Sequence, residues 1–167
     1  MEKETPGNEY FSEIINALGA ADALGGMNTM TKDFKKIKLK TFTNRGFNLT
    51  PVEFKDAVPF AVERMYYFDS LKEKEKTGAH CHKIEEEVFI QAKGAVTAII
   101  DRGQGIEEIL LKTGDAIYCP NYVWHGFKDA SADALIIALS STNYNPDRSD
   151  YIEDYGLFKK MRAERDL

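Results

Sequence analysis

Three histidines are all this chain contains, and their placing suggests a joint role. His80 and His82 sit one residue apart, and His125 follows far downstream. In an extended strand, alternate side chains share a face, so His80 and His82 project together while Cys81 points away. Glu87 lies five residues beyond His82, past the turn-sized KIEE, where a carboxylate can return to the same cavity. His125, in VWHGF, would arrive from a later strand. Paired imidazoles can move protons near neutral pH, since the unperturbed histidine pKa is about 6.5. Three imidazoles and a carboxylate can instead ligate Zn, Fe, Mn or Ni. Both chemistries are open at this point.

Something rigid must hold these groups. From Phe34 onward the chain reads as short β-forming runs broken by turn residues. FKKIKLKTF, FNLTPVEF, FAVERMYYF, EVFIQ, AVTAIID, EEILLK, AIYC, VWHGF and ALIIALS follow one another, with turns at NRG, AKG, DRGQG, KTGD and KDASAD. Regularly spaced short strands predict an antiparallel sandwich or small barrel, and no βαβ alternation argues for a Rossmann-type sheet. Residues 1–33 differ. Phe11, Ile14, Ile15 and Leu18 have helical spacing, and the Gly- and Ala-rich run after them reads as a linker. The expected organisation is an N-terminal helical extension and linker over 1–33 and one β domain over 34–167. A capped start near Asp147 or Ser149 would open a short C-terminal helix.

Composition narrows the function classes. The chain has 167 residues, 43% hydrophobic and 29% charged, with a net charge of −5. That balance is ordinary for a globular protein, neither disordered nor fibrous, and argues against a dedicated nucleic-acid binder. No apolar run approaches the roughly 18 residues of a membrane span, and the acidic N-terminus lacks a signal-peptide pattern. Two cysteines, Cys81 and Cys119, cannot make a disulfide framework. A cytoplasmic location is expected.

The spacing His80-Cys-His82, KIEE, Glu87, VFIQAK, Gly94 resembles the first motif of the cupins. Gly114, DAIYC, Pro120, NYVW, His125 resembles the second. The resemblance implies an all-β cupin jelly-roll β-sandwich or barrel. Two positions depart from it: Lys74 stands where the first motif opens on glycine, and Tyr122 where the second carries its later glycine. Within the cupins, Arg45-Gly46, Pro59-Phe60, Arg64 to Tyr67, His80 to Lys83 and Asp150 to Tyr155 resemble the sugar 3,4-ketoisomerases acting on dTDP-4-keto-6-deoxyglucose. That likeness runs from about Ile37 to Phe158. It implies a homodimer that needs no metal and moves protons with its HxH histidines. This sequence departs from that family by carrying Glu87 where glutamine is usual, His125 where the family often lacks histidine, and Lys76-Thr77 where arginines commonly precede HxH.

Moving a carbonyl from C4 to C3 of a hexose takes a proton from C3 and returns one at C4 through an enediol. His80 and His82 are the candidate acid–base pair. Tyr66 or Tyr67 could supply a hydroxyl; only one of the two adjacent residues can face a cavity, and Tyr66 is the candidate. Arg64 shares a face with Tyr66 and could hold a phosphate or a carboxylate. Lys76 could reach a phosphate, and Tyr122 and Trp124 could stack on a sugar or base. The bland accounts are a paired strand arginine for Arg64, packing aromatics for Tyr122 and Trp124, a solvated turn for 72–78, and exposed loop charges for Glu85 and Glu86. The rival functions are a metal-dependent cupin oxygenase or isomerase using His80, His82, Glu87 and His125 on a small free substrate, and a non-catalytic sugar-binding cupin.

Overall fold

The structure, a computed structural model, describes residues 33–72 and 75–165. The helix expected within residues 1–33 lies outside them. Among the described residues, ten strands form two five-stranded antiparallel sheets. The first runs β1 (Lys35–Lys38), β9 (Asp115–Cys119), β6 (Glu87–Lys93), β11 (Leu135–Ser140), β4 (Arg64–Phe68) in spatial order. The second runs β12 (Tyr151–Ile152), β5 (Thr77–His82), β10 (Trp124–Lys128), β7 (Ala95–Asp101), β8 (Ile106–Lys112). A separate hairpin pairs β2 (Phe42–Thr43) with β3 (Asn48–Leu49) around the NRG turn. The all-β sandwich expected from the strand rhythm is the fold observed.

Period-two alternation explains the layers. The inward residues of β6, β7, β9, β10 and β11 (Phe89, Val96, Ala98, Ile100, Ile117, Phe127, Ile136, Ala138 among them) form a dry core between the sheets. Burying each large apolar side chain of this kind is worth about 1.5–3 kcal/mol. Phe89 marks the upper limit of this core: its ring stands 5.0 Å from that of Phe127 below and 5.3 Å from that of His125 above. Outside the first sheet, Val88, Ile90, Tyr118 and Leu139 are covered by the connection carrying Val52, Ala57, Val58 and Phe60. That connection holds a one-turn helix, α1 (Phe54–Ala57), so the run FNLTPVEF is a strand only at Asn48–Leu49.

Outside the second sheet, Cys81, Tyr122, Trp124 and Ile152 pack under Phe158 of the C-terminal helix α2 (Tyr155–Arg165). The helix starts later than the sequence suggests. Its cap is Asp154, whose Oδ1 accepts the Leu157 N–H at 2.7 Å. Asp147 and Ser149 instead close a turn in which Asp147 Oδ1 accepts the Ser149 N–H at 2.7 Å. The chain then adds β12 to β5, with Tyr151 opposite His82 and Ile152 opposite Cys81.

The motif glycine Gly94 serves the backbone. It turns β6 into β7 at φ +71°, where a Cβ would collide with Ser131 Oγ and lie 3.0 Å from the Ala134 backbone.

Candidate active site

The two sheets converge on one cluster. His80 and His82 come from β5, His125 from β10 and Tyr151 from β12; Arg64 and Tyr66 come from β4, and Glu87 opens β6. Ladder register does the placing. His125 stands directly opposite His80, and Tyr151 opposite His82, so these rings meet on one face. Ring centroids lie 4.7 Å apart for His80 and His125 and 4.4 Å apart for His82 and Tyr151.

The polar atoms are close. His80 Nε2 and His82 Nε2 are 3.0 Å apart. Glu87 Oε2 stands 3.2 Å from His125 Nε2 and 3.5 Å from His82 Nε2, while the Tyr66 hydroxyl donates to Glu87 Oε1. His125 Nδ1 is 3.1 Å from the Val123 carbonyl, which accepts its proton and turns Nε2 inward. His82 Nδ1 lies 3.0 Å from Asp150 Oδ2 and 3.6 Å from Glu85 Oε2.

This crowding separates the two HxH rings. Burial, with the neighbouring His125 and His82, pushes the His80 pKa down to about 2, so the ring is neutral. Burial acts on His82 in the same direction, but Glu87, Glu85 and Asp150 outweigh it and raise its pKa. Burial disfavours the Glu87 carboxylate as well, yet His125 and His82 hold its pKa well below the usual range. Burial and Glu87 keep the Tyr66 phenol protonated. Two adjacent imidazoles with opposed proton affinities can pass a proton between them.

A cavity of about 520 Å³ opens beside the cluster, lined by Arg64, Tyr66, His80, Tyr144, Arg148 and Tyr151 among others. His80 forms part of its wall. His82, Glu87 and His125 sit behind, each almost wholly buried. Tyr66 lines the cavity as expected, and its neighbour Tyr67 points out to solvent at 62% exposure.

Other candidates fall elsewhere. Trp124 and Tyr122 do not reach the cavity. Strand parity that sends His125 inward sends Trp124 to the outer face, where it packs on Tyr155 and Phe158. Tyr122 joins it there, beneath the Arg165 guanidinium. Lys76 is exposed and takes no part in the cavity wall. Arg64 lines the cavity, but its NH2 group donates to Glu85 Oε1 at 2.5 Å. Glu85 is therefore not an exposed loop charge: it is 4% exposed and also accepts from Ser140 Oγ. Glu86 accepts from the Tyr118 hydroxyl. Sequence reasoning misses Glu85, Asp150, Tyr151 and Arg148 as site residues. The available signal is Asp150-Tyr151 at the head of a strand-like pair, which can be placed against the HxH strand.

The donor set also fits a divalent transition metal. Ligand atoms of His80, His82, Glu87 and His125 all lie within 4.8 Å of one another. Glu87 Oε2 and His125 Nε2 are buried, face each other, and make no hydrogen bond of proper geometry. Buried atoms left so are expected where an ion or substrate atom completes the site.

The chain is similar to proteins of known activity. Residues 28–163 match the family model described as FdtA: WxcM-like, C-terminal. The chain is 35% identical over 142 residues to the TDP-4-oxo-6-deoxy-alpha-D-glucose-3,4-oxoisomerase of Aneurinibacillus thermoaerophilus, covering 84% of this chain and 97% of that one. The sugar 3,4-ketoisomerase QdtA of Thermoanaerobacterium thermosaccharolyticum, solved in complex with TDP, superposes with a TM-score of 0.74 at 27% identity, over 83% of this chain and all of that one. A 3,4-ketoisomerase from Helicobacter canadensis gives 0.71 at 27% identity, over 78% of this chain and 98% of that one. This chain belongs to the FdtA, WxcM-like C-terminal family.

Proposed function

We propose that the protein is a sugar 3,4-ketoisomerase acting on a TDP-linked 4-keto-6-deoxyhexose, with His80 and His82 carrying the protons. The observation that supports this most directly is the imidazole pair, 3.0 Å apart on and just behind the cavity wall, in a chain whose relatives isomerise such sugars. The reaction is internal to the sugar: the C3–H bond breaks and the C4 ketone oxygen takes a proton to give an enediol, then a C–H bond forms at C4 while the C3 hydroxyl loses its proton and becomes the ketone. No oxidant is consumed.

His80, neutral and at the wall, is the ring able to accept a proton. His82, whose protonated form Glu87, Glu85 and Asp150 favour, is the ring to which His80 passes a proton from its other nitrogen and from which it regains one for C4. Their contact lets the proton pass, so one pair serves both carbons. Tyr66, kept protonated and here donating to Glu87 Oε1, would turn that one hydroxyl proton from Glu87 to the developing oxyanion. Arg148, over the Tyr151 ring at 4.0 Å and exposed at the cavity, is better placed than Lys76 for the diphosphate.

No metal is needed for these steps. The second reading, favoured by Glu87 Oε2 and His125 Nε2, which are buried without a well-formed hydrogen bond, has His80, His82, Glu87 and His125 holding a divalent ion. Such an ion would supply polarisation of a ketone oxygen. Two further features belong with the main reading. The exposed Met65 and Tyr67 on edge strand β4 support a homodimer that covers them. The buried free thiols Cys81 and Cys119 suit the reducing cytoplasm.

The test is incubation of the untagged protein with TDP-4-oxo-6-deoxyglucose in D₂O, followed by proton NMR. Loss of the C3 proton with appearance of a 3-keto product is expected. An unchanged sugar spectrum would reject the proposal, and oxygen uptake by iron-loaded protein with a small substrate would favour the metal reading.

A further inference from the structure

One carboxylate outside the motif residues gathers an unusual set of donors. Asp150, just ahead of β12, has its Oδ1 accepting the backbone N–H of Lys83 at 3.0 Å and of Ile84 at 2.7 Å. Its Oδ2 accepts the Glu85 N–H at 3.2 Å and lies 3.0 Å from His82 Nδ1. The Asp150 carbonyl also accepts the Lys83 N–H. An ionised carboxylate only accepts, so the proton in the fourth contact belongs to His82 Nδ1. His82 Nε2 is left facing His80 at 3.0 Å and Glu87 at 3.5 Å. Among the described residues, Glu85 is the other carboxylate near Nδ1, at 3.6 Å, and its second oxygen is committed to Arg64 and Ser140.

We infer that Asp150 is a positioning residue: anchored by the turn that follows the HxH strand, it fixes the orientation and Nδ1–H form of His82 and so aims Nε2 at His80, the ring on the cavity wall. The catalytic consequence rests on the ketoisomerase reading; the clamp itself does not. The same carboxylate holds the turn between His82 and Glu87, so it sets the separation of two groups that must meet.

The Asn variant has a specific expected defect. The amide oxygen would take the Oδ1 place, where the two backbone bonds are the shorter pair in sum, and the amide NH₂ would then face His82 Nδ1 as a donor. That opposes Nδ1–H and favours the wrong tautomer. In full-length protein labelled with ¹⁵N-histidine, the wild type should show a far-downfield, exchange-protected proton on one Nδ1. It should disappear in His82→Asn and give a cross-peak to the Glu85 amide proton, which shares Oδ2. Glu85→Gln should keep it and Asp150→Asn should lose it. In Asp150→Asn, kcat should fall about 10²- to 10⁴-fold, the range of a general acid–base contribution, with KM little changed.

Absence of that proton in the wild type, its survival in Asp150→Asn, or an unchanged kcat in that variant would overturn the inference. Should Asp150→Asn fail to fold, the wild-type proton, its cross-peak and its persistence in Glu85→Gln decide the matter. A wild type that shows the proton but does not isomerise the TDP sugar would remove the function and leave the clamp standing.

Discussion

At the scale of single residues, the site works through contrast between like groups. His80 and His82 are two positions apart, yet three carboxylates surround His82 while the nearest partners of His80 are other imidazoles. Lowered proton affinity in one ring and raised affinity in the other result from position alone. His80→Asn and His82→Asn should each lower turnover about 10²- to 10⁴-fold. Circular dichroism and thermal unfolding should show the fold intact, because the dry core lies on the far side of Phe89. Near-wild-type rates in both variants would remove the mechanism. The residues legible in the sequence are those fixed by strand parity and motif spacing: His80, His82, Glu87, His125 and Tyr66. Trp124 is not a cavity residue, and the same parity, applied to its neighbour His125, is what sends it outward. Asp150 and Glu85 are hidden for a different reason. Their partners are 68 and 21 residues away, and only the folded register brings them together.

At the scale of elements, turns and edges carry charges with structural work. Asp115 at the start of β9 takes the Lys112 N–H at 2.8 Å and the Lys38 ammonium of β1 at 3.0 Å, tying an edge strand to the β8–β9 turn. Partial burial opposes its ionised form, but those two donors outweigh it and lower its pKa below 3.8. A carboxylate depressed in the folded state stabilises fully above its unfolded pKa, and that stability is lost as pH falls through the folded value. Denaturant titrations of the wild type should therefore lose stability below about pH 3.8, and Asp115→Asn should flatten that loss. Equal slopes in the two proteins would assign the acid sensitivity elsewhere. Strand rhythm makes most of the two sheets readable, since each run has its turn residues. It does not reveal β12, which is two residues long and owes its existence to pairing with β5. Nor does it place the start of α2, whose cap Asp154 follows two earlier aspartates in sequence.

At the scale of the molecule, one cavity serves two chemistries that a single bulk measurement can separate. Dialysis of untagged protein against a chelator should leave kcat unchanged, and metal analysis should find less than one transition metal per chain. Loss of turnover restored by one divalent ion would assign His80, His82, Glu87 and His125 to a metal centre. Glu87→Gln sharpens the result: a metal-free isomerase, with Glu85 and Asp150 still beside His82, should lose only part of its turnover, and a metal enzyme should lose it. The described residues include no helix long and apolar enough to cross a membrane.

The wall built from Tyr144, Arg148, Tyr151 and Glu153 has a further meaning. These four residues fall in one stretch of ten, downstream of β11 and attached to the sandwich by two ladder pairs and Asp150. Much of this wall is thus encoded apart from the three histidines, joined to them through Asp150 and Tyr151, which touch His82. Exchange of that stretch between relatives, with Asp150 and Tyr151 kept, is expected to retune which sugar is accepted while the imidazole pair passes through unaltered.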